Sequence, residues 1–184
     1  ARGGLNVALV EAGRVGHGGT AAGPGRTTPR PGARFSGLRE QYGLRTARQI
    51  WEASRFAALG LASLLRRLRI LCDLETSDVV DMAVSPMQAD ALESEYRALR
   101  EAGFDVAWLP APRIREGVGL GADAAMKISG GATLDPLRAC LGVARHAERA
   151  GVRVFEQSSA ARVRSHRDGV EIVTDGGVVR AGTV

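Results

Sequence analysis

The stretch NVALVEAGRVGHGG, residues 6–19, decides the reading of this chain. Val7, Ala8, Leu9 and Val10 are apolar without interruption, which predicts a strand covered on both faces, an inner strand of a parallel sheet. The run then meets a carboxylate, Glu11, and breaks into glycine. Open α/β sheets bind ligands in the crevice above the carboxyl ends of their strands, so an acid at that place is a candidate ligand contact. Gly16, Gly18 and Gly19 let backbone amides approach a ligand closely. A solvated carboxylate followed by a flexible connection is the bland alternative for the same letters.

Working outward, residues 12–37 are dense in Gly, Pro and Thr, GPGRTTPRPG among them, and read as one long loop. From Leu44 to Leu71 the positions Ile50, Ala53, Ala57, Leu61, Leu64, Leu65 and Leu68 recur at helical spacing, which predicts one long helix with a bend at Gly60. A strand is expected within 73–84, then a helix over 86–102 capped by Ser85 and closed by Gly103. DVAWL reads as a short strand leading into PAPRIREGVG, which carries no clear pattern. AAMKI and GATL read as a pair of strands around Gly130 and Gly131. Asp135 caps a helix from Pro136 to Ala150, stopped by Gly151. VRVFE, AARVRSH, GVEIVTD and GVVRAGTV then give four strands, the first joining a parallel sheet and the others forming an antiparallel meander through the turns RDG and DGG. At the two ends, ARGG reads as the close of a helix and Val184 falls inside a strand, so the sequence reads as an internal piece of a longer protein.

A chain of 184 residues with 45% hydrophobic content can bury a real core. Its net charge of +5 is carried almost entirely by Arg, with Lys127 the single Lys. The basic residues are spread out, and the densest cluster, Arg66, Arg67 and Arg69, reads as the solvated face of a helix; no nucleic-acid partner is expected. Cys72 and Cys140 are far apart and have no metal-binding spacing, so neither a disulfide framework nor a metal site is expected and a reduced, cytoplasmic setting is the default. No apolar run approaches the roughly 18 residues of a membrane span.

Strand, Glu11, Gly-rich loop, long helical excursion, then LDPLRACLGVARHAERAGVRVFEQSSAARV and a meander together resemble the FAD-dependent oxidoreductases of the D-amino-acid oxidase and glycine oxidase type. The resemblance implies an α/β fold: a partial Rossmann-like FAD-binding domain of the glutathione-reductase type, an inserted α+β substrate domain, and an antiparallel β-meander. It implies that residues 1–37 belong to the FAD-binding domain, 38–72 form its long helical segment, 73–134 belong to the substrate domain, and 135–184 return to the FAD-binding domain. FAD is the implied cofactor, a small amine or amino acid the implied substrate, and oxidation of a C–N bond by hydride transfer to the flavin the implied reaction.

On this resemblance Glu11 accepts the ribose hydroxyls of FAD, Gly16, Gly18, Gly19 and Thr20 match the segment beside the pyrophosphate and flavin, and the backbone of Ala160 holds the adenine edge. Glu156 is structural. The glycine fingerprint that would cradle the pyrophosphate is expected roughly ten residues before Ala1, because it typically lies about 20 residues ahead of such an acid. His17 is a lone loop histidine, and the place where some relatives attach flavin through a His holds Ala21 and Ala22. Arg34 and Arg39 read as solvated loop arginines, and no catalytic side chain stands out. Two other readings use the same letters: an NAD-dependent dehydrogenase, which the long excursion and meander fit poorly, and an FAD-fold protein that modifies RNA or a non-catalytic remnant.

Overall fold

A computed structural model describes residues 4–118 and 121–183. In chain order the elements are β1 (Ala8–Val10), β2 (Arg26–Thr27), α1 (Phe35–Arg67), β3 (Glu75–Ala83), α2 (Pro86–Glu101), β4 (Val106–Pro110), α3 (Ala111–Val118), β5 (Ala124–Thr133), α4 (Pro136–Arg149), β6 (Arg153–Phe155), β7 (Ala160–His166), β8 (Gly169–Thr174) and β9 (Gly177–Ala181). Contacts gather them into two units, one of Ala1–Gly25, Leu65–Cys72 and Asp135–Val184, the other of Arg26–Leu64 and Asp73–Leu134.

In the first unit β1 pairs in parallel with β6, Ala8 opposite Arg153 and Val10 opposite Phe155. A parallel neighbour requires a crossover, and α4 supplies its helix directly before β6. The caps are those the sequence foretold. The Asp135 side chain accepts the Arg138 N–H at 2.9 Å with Pro136 in the first turn, and Gly151 ends the helix at φ +91°. Burial of β1 is less complete than its four apolar residues predict, since Leu9 is 46% exposed. The reason is that β1 has β6 as its one paired neighbour among the described residues. β7, β8 and β9 form the expected antiparallel meander. Its last strand was expected to run to Val184 but ends at Ala181, and Val184 lies outside the described residues, as do residues 1–3 of the helix end expected at ARGG.

The second unit is a mixed-order antiparallel sheet with β5 bonded to β2, β3 and β4. AAMKI and GATL are therefore one strand, β5, and not two. Gly130 takes φ +105°, and the β3 register slips between Ser77 and Val79, so two residues of β5 bulge against one of β3. Gly131 is required by proximity: a Cβ there would lie 2.9 Å from Val79 Cγ2 and 3.1 Å from the carbonyl oxygens of Ser77 and Thr27. One face of the sheet sends Val79, Ala83, Met126 and Ile128 into a core shared with Phe35, Trp51, Leu92, Leu99 and Phe104. Three of these rings meet in a cluster, with centroids 5.9 Å apart for Phe35–Trp51, 5.6 Å for Phe35–Phe104 and 5.7 Å for Trp51–Phe104. Such pairs contribute about 0.5–1.5 kcal/mol each beyond burial. The alternate residues Val80 and Ala125 pack with Ile114 of α3, a helix in the segment PAPRIREGVG that the pattern left unassigned.

Three expectations for residues 12–71 are corrected. The loop contains a short strand, β2, and ends at Phe35, where α1 begins nine residues ahead of Leu44. The break in α1 falls at Gly43, with φ 79° and ψ 163°, while Gly60 keeps its place in the helix. Arg39 consequently lies on α1, in an ion pair with Glu101 at 3.5 Å, and is not a loop residue. α1 starts there because Glu95, a buried carboxylate on α2, accepts hydrogen bonds from the first-turn amides of Phe35 and Ser36. A carboxylate on the positive end of a helix satisfies donors that have no partner within the helix.

Candidate cofactor-binding site

Two neighbouring parallel strands, β1 and β6, each run out into a glutamate, Glu11 after Val10 and Glu156 after Phe155. The loops that leave them are laced together. Glu11 N–H donates to the Phe155 carbonyl at 2.9 Å, Ser158 N–H to the Glu11 carbonyl at 2.8 Å, and Gln157 N–H to the Gly13 carbonyl at 2.8 Å. Gln157 takes φ +51° to make this exchange. Glu156 Oε1 reaches across to accept the Val15 N–H at 2.8 Å, and its own carbonyl accepts the Ser158 hydroxyl at 3.0 Å. The two glutamates thus divide the work. Glu156 pins the Gly-rich loop, as its structural reading expects, and Glu11 stands at the strand end with Oε1 accepting the Gly13 N–H at 2.8 Å. Oε2 of Glu11 takes no hydrogen bond from the described residues, which leaves an acceptor for a ligand hydroxyl.

The glycines behave differently from one another. Gly16, at φ +80°, backs onto α4, where a Cβ would lie 2.9 Å from Leu137 Cδ1 and 3.5 Å from Cys140 Sγ. Its need for glycine is already explained by the protein. Gly18 and Gly19 have no atom within 4 Å of where a Cβ would sit, and with Thr20 they are exposed. Their open side is where a bulky group can approach the backbone. The Thr20 carbonyl accepts the Gly23 N–H at 3.1 Å, which turns the loop. Ala160 opens β7 three residues after the lacing at Gln157, and is exposed. The first unit therefore holds Glu11, the loop 16–20 and Ala160 on the two segments that the lacing joins. His17 is exposed, with Nδ1 3.1 Å from the Val15 carbonyl. Cys72 and Cys140 form no disulfide.

Sequence reasoning passed over the lacing, whose signal was the repeated pattern of apolar strand then Glu in LVE and VFE. It also passed over a cleft of about 420 Å³ in the second unit, lined by Arg30, Arg34, Trp51, Asp81, Glu95 and Met126, in which Arg30 pairs with Asp81 at 2.8 Å. Those two residues are 51 positions apart, beyond any local pattern. Among the described residues no three His, Cys, Asp or Glu side chains gather as a metal site, and no helix is long and apolar enough to cross a membrane.

A strand-end acid beside an open glycine loop, over a parallel β–α–β crossover, follows the Rossmann-like pattern, in which ligands bind above the carboxyl ends of the strands. The family model "FAD dependent oxidoreductase" matches residues 1–184, and the chain belongs to that family. FAD is the cofactor that defines the family, which decides between the flavin and nicotinamide readings. Among solved structures, glycine oxidase from Geobacillus kaustophilus is similar over 96% of this chain and 46% of its own, with 23% identity and a TM-score of 0.70. L-amino acid deaminase from Proteus myxofaciens, in complex with anthranilate, matches 98% of this chain and 39% of its own at 15% identity and a TM-score of 0.74. L-alpha-glycerophosphate oxidase from Mycoplasma pneumoniae, with FAD bound, matches 92% and 43% at 16% identity and a TM-score of 0.68. The chain thus spans less than half the length of each. Among curated proteins none matches.

Proposed function

We propose that the chain is part of an enzyme that oxidises a C–N bond of a small amino acid or amine, working in the cytoplasm with FAD. When bound, FAD supplies the hydride acceptor. The observation that carries the reading is the free Oε2 of Glu11 at the carboxyl end of β1, next to a glycine loop that Glu156 holds in place. Glu11 accepts the ribose hydroxyls, the open backbone of Gly18, Gly19 and Thr20 lies along the pyrophosphate and flavin, Gly16 keeps that loop close to α4, and the backbone of Ala160 meets the adenine edge. In this reading residues 1–37 and 135–184 serve the cofactor, 38–72 are the helical segment of the same domain, and 73–134 belong to the substrate domain. Glycine oxidase and L-amino acid deaminase among the similar structures support an amine or amino-acid substrate.

The test uses the full protein purified with its flavin. Charge-assisted hydrogen bonds contribute about 1.5–3 kcal/mol each, so Glu11→Ala weakens FAD binding about tenfold to a hundredfold, and Glu11→Gln less. Under anaerobic conditions a panel of amino acids and amines is added, and bleaching of the flavin absorbance is followed. Bleaching by a glycerol phosphate and by no amine would overturn the substrate class, and full FAD affinity in Glu11→Ala would overturn the site.

A further inference from the structure

Arg66 and Arg67 are exposed in the last turn of α1, as the sequence reading has them, while Arg69 to Leu71, just past the helix, lie against α4 and make a basic groove with it. Its volume is about 380 Å³, its rim carries Arg69, Arg138, Arg145 and Arg149 with His146, and its floor includes Ile70 and Gly142. No carboxylate among the described residues lines it, although Arg138 pairs with Asp135 at 3.9 Å from outside. Ile70 locks the groove shut at its base: a Cβ on Gly142 would lie 2.3 Å from Ile70 Cγ2, so the isoleucine sits directly against the helix backbone.

The groove is separate from the flavin site. At roughly 100° per residue, positions 138, 142, 145 and 149 form one stripe of α4, while Leu137 and Cys140, which meet Gly16, form another, and the two are centred about 140° apart. Two further features mark it as more than a solvated surface. Arg69 stands at φ +53°, in the left-handed conformation that glycine takes at far lower cost, just where α1 closes through Arg69 N–H to Arg66 O and Ile70 N–H to Leu65 O. The side chain that this backbone carries lines the groove. Beside it Leu71 is 87% exposed, an apolar side chain next to the guanidinium groups.

We propose that this groove binds a phosphate-bearing ligand, with Arg69, Arg145 and Arg149 as its donors. Guanidinium groups gathered on one groove repel one another until a multiply charged anion joins them, and the planar forks of Arg69, Arg145 and Arg149 match phosphate oxygens in pairs. The phosphate can belong to a soluble polyphosphate or to a lipid headgroup, in which case Leu71 enters the acyl boundary. This inference does not depend on the proposed amine substrate.

The experiment takes the flavin-loaded protein and measures calorimetric binding of inorganic tripolyphosphate, and sedimentation with phosphatidylglycerol or phosphatidylcholine vesicles, at rising NaCl. Binding of tripolyphosphate or of the anionic vesicles is expected to fall with salt and to weaken about tenfold in Arg145→Gln/Arg149→Gln. Arg69→Gly is expected to raise the melting temperature while weakening the same binding, a split that a merely structural arginine would not give. Vesicle binding lost in Leu71→Ser assigns the phosphate to lipid, and binding of tripolyphosphate without vesicles assigns it to a soluble ligand. Absence of both, binding unaffected by the arginine variants, or tighter capture of a duplex RNA than of either probe overturns the proposal.

Discussion

Glu156 holds Val15 across 141 positions of sequence, its Oε1 accepting the Val15 N–H at 2.8 Å. The contact fixes the Gly-rich loop to the strand end next door to Glu11. Because the pair is exposed, its worth is about 1 kcal/mol, less than a buried charge-assisted bond. In Glu156→Ala the Val15 amide is expected to exchange with solvent about fivefold faster, the factor that corresponds to that energy. Amide exchange followed by NMR or mass spectrometry checks it, and unchanged protection would show that the lacing by backbone bonds alone sets the loop.

The glycines of the loop separate structural need from ligand access. Gly16→Ala puts a methyl 2.9 Å from Leu137 Cδ1 at φ +80°, and is expected to lower stability. The left-handed backbone alone costs about 1–2 kcal/mol. Gly18→Ala has open space, so the melting temperature without flavin is expected to stay where it was while FAD affinity falls. Thermal melts with and without FAD distinguish the two outcomes.

Glu95 is tested through the helix it caps. Replacing it by Ala leaves the Phe35 and Ser36 amides without their acceptor, at a cost of about 1–3 kcal/mol in urea unfolding. Glu95→Gln keeps one acceptor and is expected to fall between. Equal stability of all three proteins would mean that α1 begins at Phe35 for another reason.

Acid stability is expected to depend in part on Asp78. Its hydrogen bond from Lys127, then one from Ser129, hold the carboxyl below its ordinary value of 3.8, and the Lys127 Nζ lies 3.0 Å away. A lowered folded-state value stabilises the fold above the unfolded value and ceases to do so as pH falls through the lowered one. The contribution is therefore complete above about pH 5, and is lost below 3.8. The pair is over a third exposed, so solvent screens it and the effect is small. Melting temperature against pH, compared with Asp78→Asn, checks the sign: the variant is expected to show a flatter acid limb.

What was legible in the sequence was local. Ser85 and Asp135 cap their helices from the position just before them, and the turns of the meander announce themselves as RDG and DGG, because both signals act within three residues. That β1 and β6 each belong to a parallel sheet was legible too, from the apolar run of the one and the helix ahead of the other, while their pairing with each other was not. Gly43 and Gly60 are alike to a periodicity argument, and only the packed helix shows which one bends. Gly130 and Gly131 suggest a turn until one sees the Ser77 carbonyl, the Thr27 carbonyl and Val79 crowding Gly131. Glu95 caps a helix that begins 60 residues earlier, which no local capping rule detects. Of the candidate site, the strand-end acid and the loop were readable, and the lacing that ties them to residues 156–158 was not.

The pairing of Ala8 with Arg153 also sets a schedule for synthesis. A ribosome adds about 5–20 residues per second, so the 145 positions from Ala8 to Arg153 keep β1 without this partner for roughly 7 to 29 seconds. During that wait the second unit, which closes by Leu134, can complete its sheet. An apolar strand left with a bare edge for that long is open to pairing with other nascent chains. The newborn protein is consequently open to such pairing while the crossover helix is still being made, and a slower codon run after Phe155 would do less harm than one before Arg153.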